Sequence, residues 1–261
     1  MAERTPAQAA QNNKRNGRPG TVRPRRRASA KRAAKPAPEA GTVRFEHIRK
    51  DPEVLELIEG ADLALAAIGF TDHGIRHIAR VANRAMNICR DLGLPARDRE
   101  LAGIAGYLHD IGNTVHRNRH AQSSALMAQR ILSRMGMGPA ETAAIMAAIG
   151  NHDEGDGEAV NNPGAALILA DKSDVLRQRV RSSTPMLTRD IHDRVNYAAT
   201  DSKMDVDRPG RLITLNLSID TRVSPVMEYF EIFLGRMAMC RRAANYLNCD
   251  FSLVINGVRL L

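Results

Sequence analysis

Aromatic residues are scarce, 3% of a 261-residue chain. That leaves no array of rings on which single-stranded nucleic acid could stack. Cysteines number three, Cys89, Cys240 and Cys249. An odd count without paired spacing suits a reducing cytoplasm better than a disulfide framework. Long apolar runs are missing as well: Ala143–Ile149 falls far short of the roughly 20 residues a membrane helix needs. The first residues hold no apolar core of a secretion signal, so a cytoplasmic protein is expected. No internal repeat is visible.

Charge of one sign is also lacking once it is located. The net charge is +9, yet residues 1–40 hold eleven Lys or Arg against only Glu3 and Glu39. That segment accounts for the whole excess, and the rest of the chain balances. Rich in Pro, Ala, Asn and Gln, it cannot bury enough apolar surface to offset its ordering entropy, so residues 1–41 are expected to be a disordered basic tail. Arg23-Pro24-Arg25-Arg26-Arg27 suits weak binding of a polyanion by counterion release, and a merely solubilising tail fits the composition equally well.

From residue 42 the texture becomes helical. Asp51-Pro52-Glu53 has the form of a helix start. Thr71-Asp72 opens a second helix, read from His73 to Leu92, in which Ile78, Val81, Ala82, Ala85 and Ile88 recur at three and four. Further helices are expected over Ala96–Ile111, Ala121–Met135, Pro139–Ile149 and Pro163–Val180. Residues 42–185 therefore read as an all-helical bundle.

Within it lies the chemistry. His73 and His77, four apart, share a helical face in this reading. His109-Asp110 ends an apolar helix, His120 opens the next, and His152 closes another. Asp171 follows six apolar residues, and a carboxylate there is costly to bury unless a cation or donor accepts it. Imidazoles and carboxylates together suit iron or manganese.

The stretches "HIARV" (77–81), "HDIGN" (109–113), "NHDEGDG" (151–157) and "ADKSD" (170–174) resemble, in order and spacing, the H…HD…D signature of the HD superfamily of metal-dependent phosphohydrolases. The resemblance covers about residues 70–180. It implies that His77, His109, Asp110 and Asp171 hold a first divalent cation (Mn, Fe or Mg). His120 and His152 would hold a second, with Asp110 bridging and His73 a further ligand candidate. The cyclic-di-GMP phosphodiesterase branch is a poorer match, because Asn113 replaces its lysine, Asn151 replaces a histidine, and its GYP element is missing. Asp110 with its cations would activate a water for in-line attack on phosphorus. Lys172, Arg80 and Asn113 are candidates to contact the phosphate. His47 and His192 read as structural, and His116 as solvated.

Residues 186–261 read as a linker and a small α+β unit. Leu212–Asp220 alternates as a half-buried strand, Ser224-Pro225 caps a helix to about Leu247, and Asn256-Gly257 turns a hairpin. This β–α–β–β unit with three strands is too small to stand alone, so it packs on the bundle or pairs in a homodimer. The whole is a mainly α protein. The function expected is hydrolysis of a small phosphoester, a nucleotide foremost; the alternative is a regulatory HD protein that binds a nucleotide with little turnover.

Overall fold

In the computed structural model, residues 42–181 and 191–260 are described, and the basic tail expected over 1–41 lies outside them. Two helices lead in. α1 is Phe45–Arg49, and α2, Pro52–Ala67, starts as the sequence predicts, with Asp51 Oδ1 accepting from the Val54 amide at 3.1 Å. α3, Ile75–Leu92, buries one stripe from His77 to Leu92 and stops at Gly93, whose φ of 70° is the left-handed cap geometry glycine adopts without strain.

α4 is Ala96–Leu108, and every residue of its last two turns is buried, Leu101 through Leu108. Gly106 makes this possible. A Cβ there would stand 2.8 Å from the Ala82 Cα, so α3 and α4 cross at backbone distance. A 3₁₀ turn over Ile111–Thr114 follows, then α5, His120–Arg134. Gly112 of the HDIGN stretch has no room either: a Cβ there would collide with the His120 carbonyl. The Gly112 amide donates to Ser124 Oγ at 2.7 Å, so α5 is fastened onto the turn that carries Asp110.

α6 is Pro139–Gly150 and α7 is Asn162–Lys172. Pro163 through Ala170 are all buried, because α7 packs between α3, α4, α6 and the later helix α9. The sequence reading carried α7 to Val180; the chain leaves the helix at Ser173. The Ser173 hydroxyl donates back to the Leu169 and Ala170 carbonyls, a local competitor of the helical ladder. Asp174 and Arg179 then take tertiary partners.

α8 is Ile191–Ala198, followed by β1 (Ala199–Asp207), β2 (Leu212–Ile219), α9 (Val226–Tyr246), β3 (Asp250–Ile255) and β4 (Val258–Arg259). The sheet order is β1-β2-β3-β4. β1 runs antiparallel to β2, β2 parallel to β3 with α9 as the crossover, and β3 antiparallel to β4. The hairpin at Asn256-Gly257 has φ of 50° and 80°, as a tight turn of mirror-image type requires. The expected three strands thus gain a fourth, β1. The faces behave as the alternation predicts: Ile213, Leu215, Leu217 and Ile219 are buried with Phe251, Leu253 and Ile255. Tyr229, Phe233, Met237 and Cys240 of α9 join this apolar layer to the bundle core, and the two are continuous. No described helix is long and apolar enough to cross a membrane.

Candidate metal centre

Four imidazoles arrive from four places. His77 lies in the first turn of α3, His109 just past the end of α4, His120 at the start of α5, and His152 two residues past α6. All four are buried. In each, Nδ1 has a partner: Asp174 Oδ2 at 2.7 Å for His77, and the carbonyls of Gly106 at 2.9 Å, Arg117 at 3.1 Å and Ile149 at 2.6 Å for His109, His120 and His152. An Nδ1–H donated outward leaves the Nε2 lone pair as the free ligand atom.

Those Nε2 atoms converge on two carboxylates. Asp110 Oδ2 lies 3.3 Å from His109 and 3.7 Å from His77; its Oδ1 lies 3.2 Å from His120 and 3.9 Å from His152. Asp171 Oδ1 lies 3.4 Å from His77 and 3.6 Å from His109. Two sets of ligand atoms, His77–His109–Asp171 and His109–Asp110–His152, each gather within 4.8 Å. Preset tautomers and mixed N/O donors fit one or two divalent cations of the first transition row.

Without a cation, this proximity distorts the acid–base properties. Burial opposes charge on His109, but Asp110 and Asp171 overcome it and raise the imidazole to about 10. Burial alone would raise Asp110; His109 and His120 hold it well below the usual carboxylate range. Asp171 is held down likewise, against its burial, by Lys172 and the imidazoles of His109 and His77. His152 goes the other way: burial, then His109 and Lys172, lower it to about 3. To hold a cation here, His109 would have to give up its extra proton, whereas His152 is already neutral.

The remaining candidates divide. His73 is not on the shared helical face expected for it, because Asp62 Oδ1 accepts its amide and α3 starts only at Ile75. Its ring still packs edge-on against His77, centroids 5.3 Å apart, and lines the pocket. Lys172 is buried, with Nζ 2.9 Å from Asp171 Oδ2, 3.6 Å from Asp153 and 3.8 Å from Glu154. Arg80 is not brought to the pocket. It sits one turn after His77 and is drawn to the same carboxylate, donating to Asp174 Oδ1 at 2.9 Å and to Gln178 Oε1 at 3.0 Å. Asn113 turns inward instead, donating to the Asp110 carbonyl and to its Oδ1 at 3.1 Å. His116 and His47 are exposed.

The cluster floors a pocket of about 470 Å³. Sequence reasoning missed much of its wall: Arg117 and Arg179, the apolar lip Ile68-Gly69-Phe70, and the side chains His192, Asn196 and Arg236 from α8 and α9. It also missed Asp174, whose signal was only its place three residues after Asp171. Its side chain is fully buried and shared among His77, Arg80 and Arg179. Asp174→Ala would leave the buried Arg179 guanidinium and the His77 Nδ1 short of their acceptor in the interior, an expected loss of about 3–5 kcal/mol. The denaturant midpoint reads this, and an unshifted midpoint contradicts it.

Residues 74–181 match the HD domain family. That family belongs to a superfamily of metal-dependent phosphohydrolases, and the His/Asp cluster falls within the matched stretch. An uncharacterized protein of Methanocaldococcus jannaschii is 27% identical over 170 residues, 57% of this chain. The match spans 65% of that relative's length.

Proposed function

We propose that this protein hydrolyses a phosphoester of a small phosphorylated molecule, a nucleotide foremost, at a divalent-cation centre. His77, His109, Asp110 and Asp171 would hold one ion, and His120 and His152 with Asp110 a second. The observation that carries the reading is the shared orientation of four buried imidazoles, each with Nδ1 engaged and Nε2 turned to Asp110 or Asp171. A structural role alone does not call for four imidazole Nε2 atoms turned inward onto two carboxylates.

The cation's contribution is Lewis acidity, which makes water a better nucleophile and offsets charge on phosphoryl oxygens. The protein's own groups do the rest. Lys172 stays charged, since Asp171 and Glu154 outweigh its burial, and offers an ammonium to a phosphate oxygen on the pocket wall. Arg117, against the Phe70 ring at 5.3 Å, holds a second positive charge on the pocket wall. Asn113 fixes the Asp110 carboxylate through Oδ1. A covalent route through a thiol is disfavoured, because burial pushes Cys89 and Cys240 up to about 12.

A second reading, nucleotide binding with little turnover, draws support from Asn151. Its amide donates to the Ala147 carbonyl at 2.9 Å and adds no ligand to the cluster. Elemental analysis of the purified protein, then a panel of phosphoesters and nucleotides with Mn²⁺, Mg²⁺ or Fe²⁺, separates the two. Bound metal with turnover of at least one ester is expected. Metal and nucleotide binding without turnover selects the second reading, and failure to bind any divalent ion refutes both.

A further inference from the structure

A second cleft, of about 450 Å³, lies between α3 and the edge strand β1. Its cationic side chains are Arg80, Arg84 and Lys203; Asn83 and Asn87 add amides, and Asp91 is the one carboxylate on its lining. Asp91 is already engaged by Arg90 at 2.8 Å, and Lys203 reaches Asp205 at 2.7 Å.

Arg84 is the unusual member. It is partly buried, and its guanidinium donates to the Ser173 hydroxyl at 2.7 Å and the Ser202 carbonyl at 2.8 Å. Among the described residues no carboxylate forms an ion pair with it. A desolvated cation satisfied only by neutral acceptors is poorly compensated, and a bound anion would supply what is missing. Asn83 and Asn87 stand exposed on the same helix, at a spacing of four that puts both amides on one face.

We infer that this cleft is a binding site for a small, multiply charged anion of the phosphate class, linked mechanically to the metal centre. Arg84 holds Ser173, two residues after Asp171, and Arg80 holds Asp174, which in turn holds His77 Nδ1. An anion drawing on the two guanidinium groups acts on the segment 173–174 and so on the setting of His77. The site needs no assumption about turnover, but the linkage matters for catalysis only if the proposed metal centre is correct.

Inorganic pyrophosphate is the probe, titrated calorimetrically into the full chain carrying Asp110→Asn, with chelator present so that the His/Asp cluster holds no cation. One pyrophosphate per chain is expected, weakened at least tenfold by adding Arg84→Gln. Asn87→Asp, at an exposed position, should weaken it as well, and it decides the matter if Arg84→Gln fails to fold. Binding that neither change alters belongs elsewhere, the basic residues 1–40 included, and overturns the site, as does the absence of binding. The ring ¹⁵N resonances of His77 should shift on saturation; binding with His77 unmoved overturns the linkage while leaving the metal-centre reading intact.

Discussion

Asp110→Ala is expected to strip the protein of metal and to lower phosphoester turnover by at least about three orders of magnitude, the upper range for loss of one preorganised electrostatic group. The reason is the number of partners on one carboxylate. Its two oxygens lie within 4 Å of the Nε2 atoms of His77, His109, His120 and His152. No other acid in the pocket has this position: Asp171 reaches only His77 and His109. Removal therefore takes a ligand from both candidate ion positions at once. The fold should survive, because Asp110 sits in a turn whose backbone is held independently by the Gly112–Ser124 bond. Charge also rebalances, since Asp110 is the largest influence raising His109, and without it that imidazole can rest neutral. Metal content by elemental analysis and far-ultraviolet circular dichroism read the two halves of the claim. Full metal content with normal turnover would sink the assignment of Asp110, and loss of fold would show that its role is structural.

How far the chain could be read in advance depended on whether the determining contact was local. The helix starts at Asp51 and Pro139 were legible because a cap and a proline act within one turn. So was the Asn256-Gly257 hairpin, where positive φ is a property of two residues. The His109-Asp110 pair and the distant Asp171 were legible as a pattern, and the chain does bring them together. Misreadings came where a remote partner decided. His73 falls outside α3 because Asp62, eleven residues earlier, takes its amide. Arg80 faces Asp174, ninety-four residues away, which no spacing in the sequence announces. α7 stops at Ser173 because that hydroxyl serves both the helix end and Arg84. β1 was missed for a related reason. Ser202, Met204 and Val206 alternate with Asp201, Lys203 and Asp205, but only weakly apolar residues mark its inner face, and its pairing with β2 supplies the rest. The charged outer residues are what an edge strand needs to resist pairing with another chain.

The double change His120→Ala/His152→Ala decides whether the centre holds one ion or two. These imidazoles lie on the Oδ1 side of Asp110, at 3.2 and 3.9 Å, whereas His77 and His109 lie on the Oδ2 side. Opposite oxygens of one carboxylate, each with two nitrogens, give the arrangement a bridging ligand requires. Removing the Oδ1 pair should leave His77, His109, Asp110 and Asp171 intact and halve the metal bound per chain. Turnover should fall by orders of magnitude, because charge on the phosphoryl group would then be offset from one side only. Stability should fall by less than for Asp174→Ala, since the hydrogen bonds the deleted imidazoles make outward go to the carbonyls of Arg117 and Ile149, which water can satisfy once the rings are gone. Asn151 does not replace either ring, its amide being committed to Ala147. His73 remains the one further imidazole packed edge-on against His77, so the triple change with His73→Ala tests whether it substitutes. Manganese titration of wild type and double variant gives the answer directly. A stoichiometry near two falling to one supports the paired centre. A value near one in both proteins assigns a single ion to the Oδ2 side and leaves His120 and His152 facing the substrate.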